Sequence, residues 1–164
     1  MSMNEEQLIQ RDRMRFTKNT LSSSLALLAI LFNVLYFVSI YKSDVGSYYY
    51  NIIIGASVLY NLVFMLVVFL SSEGVKSYKM SFAWVLLAVG VLQIVRIFIL
   101  PARAHAATVT INQQETLAME SAQFMRVAAY LLASSLCCLL GGVIGIRRSR
   151  ALAQHMATLE QKAA

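Results

Sequence analysis

Few side chains in this 164-residue chain could do chemistry, and their types and spacing limit what that chemistry is. Three amides, Asn33, Asn61 and Gln93, sit deep within three strongly apolar stretches, and Ser134 and Ser135 sit in a fourth. Uncharged amides and hydroxyls do not perform general acid–base catalysis near neutral pH, but they donate and accept hydrogen bonds wherever water is excluded. Their expected role is to join apolar segments. The second reading is a polar binding site for a small solute, lined by Asn33, Asn61, Gln93 and Ser134.

No Asp, Glu, Lys or His lies within these stretches, which argues against a proton-coupled carrier and against carboxylate or histidine catalysis inside a membrane. Arg96 is the one cation well inside a stretch, four residues from its end. At that depth a long side chain is expected to snorkel to the interface. The functional alternative is an anion or headgroup site that Arg96 shares with Arg103, His105 and Arg126.

Cys137 and Cys138 are adjacent, so on a helix they point about 100° apart and form neither a CxxC redox pair nor half of a metal site. They read as small packing residues. No phosphate loop, nucleophile triad or metal cluster stands out, so no catalytic residue, cofactor or metal is expected, and no nucleic-acid module accompanies the basic residues.

The elements that must position these residues follow from composition. Hydrophobic residues make up 59% of the chain and charged residues 13%, with mean hydropathy +0.64. Soluble domains carry roughly 45–50% apolar and about 25% charged residues. Four runs, at 20–41, 49–70, 81–100 and 125–146, are each long enough to span a bilayer, which takes about 20 apolar residues. A soluble fold would have no amphipathic helices left to cover them. The first run is too long for a signal-peptide core and has no small-residue cleavage pattern after it, so it reads as an uncleaved anchor. The expected fold is an all-α integral membrane protein, with four transmembrane helices in an antiparallel bundle.

Basic residues set the orientation. Ten of the 14 Lys and Arg fall in the N-tail (1–19), the loop after the second span and the C-tail (147–164), whereas the other two loops hold only Lys42 and Arg103. Both termini are therefore expected in the cytoplasm, with the tails against an anionic inner leaflet. Aromatic residues cluster near the expected boundaries: Tyr41, Tyr48, Tyr49, Tyr50 and Tyr130 outside, Phe16, Tyr78 and Trp84 inside. The outer loops lack Cys and any glycosylation sequon, which mildly favours a bacterial cytoplasmic membrane.

Small residues supply the packing pattern. Ser22, Ala26, Ala29 and Asn33 share one face of the first helix, and Ser134, Cys138, Gly141 and Gly145 one face of the fourth. At ~1.5 Å per residue the two stripes match in depth. The first and fourth helices are expected to pack small against small, with a homodimer through Gly141 and Gly145 as the alternative. The segments around Asn33 (Leu31, Phe32, Val34) and Asn61 (Leu59, Tyr60, Leu62) echo one another, a likeness attributable to chance among apolar sequences.

The outer loop, 101–124, starts at a helix-ending Pro101. Within it, Asn112 with Glu115 reads as a capping box that starts a helix at Gln113. Ser2 with Glu5 gives a similar signal in the N-tail, and Leu152, Met156 and Leu159 share a face suited to an interfacial helix in the C-tail. The resulting functional expectation is a non-catalytic scaffold or accessory subunit that associates with another membrane protein or with itself. The alternative is a small transporter or channel.

Overall fold

The computed structural model describes residues 17–40, 51–106, 108–111, 114–117 and 119–163. The Ser2 and Glu5 signal and the tyrosines at 41 and 48–50 lie outside these residues. The elements are α1 (Thr20–Ile40), α2 (Asn51–Lys76), α3 (Met80–Ile99), α4 (Pro101–Ala106), β1 (Thr108–Ile111), β2 (Gln114–Leu117) and α5 (Ser121–Ala163). Four helices are long and apolar enough to cross a membrane, over Thr20–Ile40, Gly55–Lys76, Met80–Ala106 and Ser121–Thr158. Leu27, Leu31, Leu59, Leu62, Leu66, Phe98 and Leu136 turn outward and are exposed, as expected of helices whose outer faces meet lipid.

Two apolar cores form along the helix axes. Ala26, Ala29, Phe64, Val68, Leu86 and Cys138 build one toward the end where α1 begins. Tyr36, Ile40, Ile97, Val127 and Leu131 build the other toward the hairpin. Asn33, Asn61, Gln93 and Ser134, all buried, belong to neither core.

Small residues and serine hydroxyls bring the backbones together. Ser22 Oγ donates to the Gly141 carbonyl, and Ser134 Oγ donates to the Ala29 carbonyl at 2.9 Å. Numbers rise along α1 as they fall along α5, so these two helices run antiparallel. A Cβ built on Gly141 would stand 3.3 Å from the Ser22 carbonyl oxygen and 3.5 Å from Leu25 Cβ. On the adjoining face of α5, a Cβ at Gly142 would come within 2.9 Å of the Ala83 carbonyl oxygen and 2.8 Å of the Leu87 side chain. Gly145 faces Ala83 and Ser22. The two glycines of the G-x-x-x-G thus lie against α1 and α3 of the same chain.

The α2–α3 turn closes the end where α1 begins. Tyr78 takes φ 58°, the left-handed position usually given to glycine, while Lys79 N–H bonds the Gly74 carbonyl at 3.1 Å and Tyr78 N–H the Val75 carbonyl at 3.1 Å. This is a Schellman stop with a tyrosine in the glycine seat. Ser149 Oγ donates to the Tyr78 carbonyl at 3.0 Å and fastens the turn to α5. Asn19 caps α1 from the same end: its Oδ1 accepts from Ser22 N–H at 3.4 Å and from Arg148 Nη1 at 3.2 Å, and its own N–H reaches the Lys76 carbonyl at 3.0 Å.

Three boundaries differ from the sequence reading. α2 continues past Leu70 to Lys76, because Ser71, Ser72 and Glu73 leave the apolar run without breaking the helix. α5 runs without a break to Ala163, so the C-tail helix continues the fourth span and is not a separate segment. The helix expected from Gln113 is absent: Gln114–Leu117 pairs antiparallel with Thr108–Ile111, and α5 starts at Ser121. Thr108, Val109, Thr110 and Ile111 are all β-branched and favour a pleated partner, which outweighs a two-residue capping signal.

Two measurements test this packing. With Cys137 and Cys138 changed to Ser, Leu25→Cys and Gly141→Cys should form an intramolecular disulfide under mild oxidation, because a Cβ separation of 3.5 Å suits the bond. A crosslinked dimer in its place would assign the glycine face to a contact between chains. Gly142→Ala should lower stability in detergent by about 1–3 kcal/mol, since its methyl group meets backbone at Ala83.

Candidate functional site

The polar layer between the two cores is one connected cluster. Asn33 is its hub: Nδ2 donates to Asn61 Oδ1 at 3.2 Å, and Oδ1 accepts from Gln93 Nε2 at 3.1 Å and from Arg96 Nη1 at 3.3 Å. Gln93 Nε2 also reaches Ser134 Oγ at 3.4 Å. Asn61 Nδ2 is fixed to its own helix through the Ser57 carbonyl at 2.9 Å, which turns Oδ1 toward α1 and α3. Ser135 Oγ donates to the Gly90 carbonyl at 2.7 Å and links α5 to α3. All four spans thus contribute to the cluster. Helix periodicity accounts for the convergence: each amide lies on the inward stripe of its helix, Asn33 with Ala26 and Ala29, Gln93 with Leu86 and Gly90, Asn61 with Phe64 and Val68.

Arg96 departs from the snorkelling expectation. It is 6% exposed, and its guanidinium turns into the cluster, where Nη1 donates to Asn61 Oδ1 at 3.0 Å. Its Cζ lies 4.5 Å from the ring centroids of both Tyr36 and Tyr60. The reason is competition: the π faces and amide oxygens solvate the cation inside the protein, so it need not reach water.

The arginine site expected with Arg103, His105 and Arg126 is not assembled, since Arg103 and Arg126 are exposed on the surface while Arg96 is buried. His105 stacks on Phe124 with centroids 4.9 Å apart, and Nδ1 lies 3.1 Å from the Met119 carbonyl oxygen, which pins α4 to the start of α5.

Sequence reasoning missed Tyr36 and Tyr60. Their signal was present: Tyr36 lies one helical turn beyond Asn33, and Tyr60 adjoins Asn61 within the echoed segments. Those segments meet in space through the bond between Asn33 and Asn61. Cys137 and Cys138 are free thiols in the core, with Cys138 beside Gly90.

Beside the α2–α3 turn, a cleft of about 490 Å³ is lined by Thr17, Lys18, Glu73, Lys76, Ser77, Tyr78 and Leu152. The Lys76 to Glu73 pair in it, at 3.0 Å, is solvent-exposed and contributes little to stability.

Comparison with protein-family models, with curated proteins and with solved structures finds no match for the chain.

The hub carries a quantitative expectation. Asn61→Leu removes the nearer of the two amide oxygens that accept from the buried guanidinium and should cost about 1.5–3 kcal/mol in reversible unfolding from mixed micelles. Arg96→Leu should cost less, because an apolar side chain leaves no buried cation to satisfy. Asn61→Leu with Arg96→Leu should recover about 1 kcal/mol relative to the sum of the single changes. Strict additivity would show that the two side chains do not interact.

Proposed function

We propose that the chain is a non-catalytic scaffold or accessory subunit, an antiparallel four-helix membrane bundle with both termini in the cytoplasm. Its basic tails lie along the anionic inner leaflet, and its outward helix faces associate with a second membrane protein or a second copy. One observation carries this reading: Asn33, Asn61, Gln93, Arg96 and Ser134, drawn from all four spans, bond to one another and to the Ala29 carbonyl, which makes the cluster a lock between helices. Recognition is then left to the apolar outer faces and the tails. The excess of Lys and Arg in the tails and the α2–α3 loop supports the orientation. The missing sequons in the outer loops favour a bacterial cytoplasmic membrane.

A small transporter or channel is the second reading. It is favoured by Gln93 Oε1 and Ser57 Oγ, which are buried without hydrogen-bond partners among the described residues, and a passing solute could bind there.

Purification from native membranes in mild detergent, followed by intact-complex mass spectrometry, separates the two. A scaffold should emerge in a stoichiometric complex or defined oligomer that Asn61→Leu with Gln93→Leu leaves assembled. A lone monomer, together with solute flux in proteoliposomes that the same double change abolishes, would replace the scaffold with a conduit.

A further inference from the structure

The groups around the Arg96 guanidinium form a receptor for a cation. Two tyrosine faces, each 4.5 Å from Cζ, present the negative side of their quadrupoles. Between them, Asn33 Oδ1 and Asn61 Oδ1 accept from Nη1 at 3.3 and 3.0 Å. The oxygens are aimed by bonds that do not involve Arg96. Asn61 Nδ2 holds the Ser57 carbonyl, Asn33 Nδ2 holds Asn61, and Gln93 Nε2 holds Asn33. The cage therefore keeps its donors and acceptors in place whether or not the guanidinium is present, and preorganisation of that kind lowers the cost of binding.

Its occupant is tethered to the α3 backbone. Arg96 stands four residues from Leu100, the C-cap of α3.

We propose that Tyr36, Tyr60, Asn33 and Asn61 form a binding site for an organic monocation of the guanidinium class, with Arg96 as a tethered occupant that a free cation can replace. The site selects a flat, delocalised charge: two stacking faces suit a planar cation, and in-plane N–H groups meet the amide oxygens. The inference is independent of whether the bundle serves as scaffold or conduit.

The test empties the seat. Arg96→Ala, purified in mild detergent, should gain a saturable rise in Tm of about 3 °C with methylguanidinium at ten times its Kd. Urea, the neutral shape analogue, and potassium at equal ionic strength should give none. The triple change Arg96→Ala, Tyr36→Leu, Tyr60→Leu should lose the response, and the wild-type chain should respond far more weakly, because its own guanidinium competes at an effective concentration in the millimolar range. No saturable response in Arg96→Ala, or an equal one in the triple variant, overturns the proposal. Should Arg96→Ala not fold, the wild-type chain carrying ¹⁵N-arginine provides the reading. Excess methylguanidinium, but not urea, should then move the Arg96 Nε resonance toward its solvent value, and an unmoved resonance overturns the proposal.

Discussion

A hydrocarbon environment offers no hydrogen bonds, and the arrangement of this chain depends on how it meets that constraint at Asn33. The side-chain oxygen of Asn33 accepts from two donors of α3, Gln93 and Arg96, and its nitrogen donates to Asn61 of α2. Its helix is meanwhile held to α5 by Ser134 through the Ala29 carbonyl. Hydrogen bonds between membrane helices are individually modest, about 0.6–2 kcal/mol. Their weight lies in register: a helix shifted by one residue would rotate its amide about 100° away from the cluster and bury it unsatisfied. Apolar cores on either side cannot supply that information, because leucine packs against lipid as readily as against leucine.

Packing and hydrogen bonding are coupled through residue size. Ser22 can reach the Gly141 carbonyl, and Ser135 the Gly90 carbonyl, because glycine at the partner position removes the side chain that would hold the backbones apart. The same close approach sets the depth at which Asn33, Asn61, Gln93 and Ser134 meet. Stripes of small residues on α1 and α5 therefore act first on distance and then on polar geometry. Where α1 begins, Asn19 and Tyr78 repeat the principle with backbone groups, closing helix ends against neighbouring helices.

The sequence made the spans and their inward faces legible, because both depend on local quantities: run length, and the 3.6-residue period that puts Asn33 in line with Ala26 and Ala29. Helix ends were less legible. The α2 boundary was set short at Leu70 because apolarity marks the bilayer, whereas the helix itself stops only where the chain reaches Tyr78. The hairpin at Thr108–Ile111 and Gln114–Leu117 was hidden because pairing between strands is a property of two segments, while a capping signal is read from one. Tyr36 and Tyr60 went unread for the same reason, since each looks like an ordinary apolar-face aromatic until Arg96 of a third helix is placed between them.

Arg96 shows how a locally sound argument loses to a tertiary one. An isolated helix gains by letting an arginine near its end reach water, because the charge costs ~2.5–3.5 kcal/mol at the bilayer centre on insertion scales. Within the assembled protein two desolvated cation–π contacts, each about 2 kcal/mol, already offset that cost, and charge-assisted bonds to Asn33 and Asn61 add to it. The inward position is thus favoured only once α1 and α2 have delivered their tyrosines and amides. Burial of Arg96 is therefore a consequence of assembly, and the guanidinium in turn ties α3 to both helices that receive it.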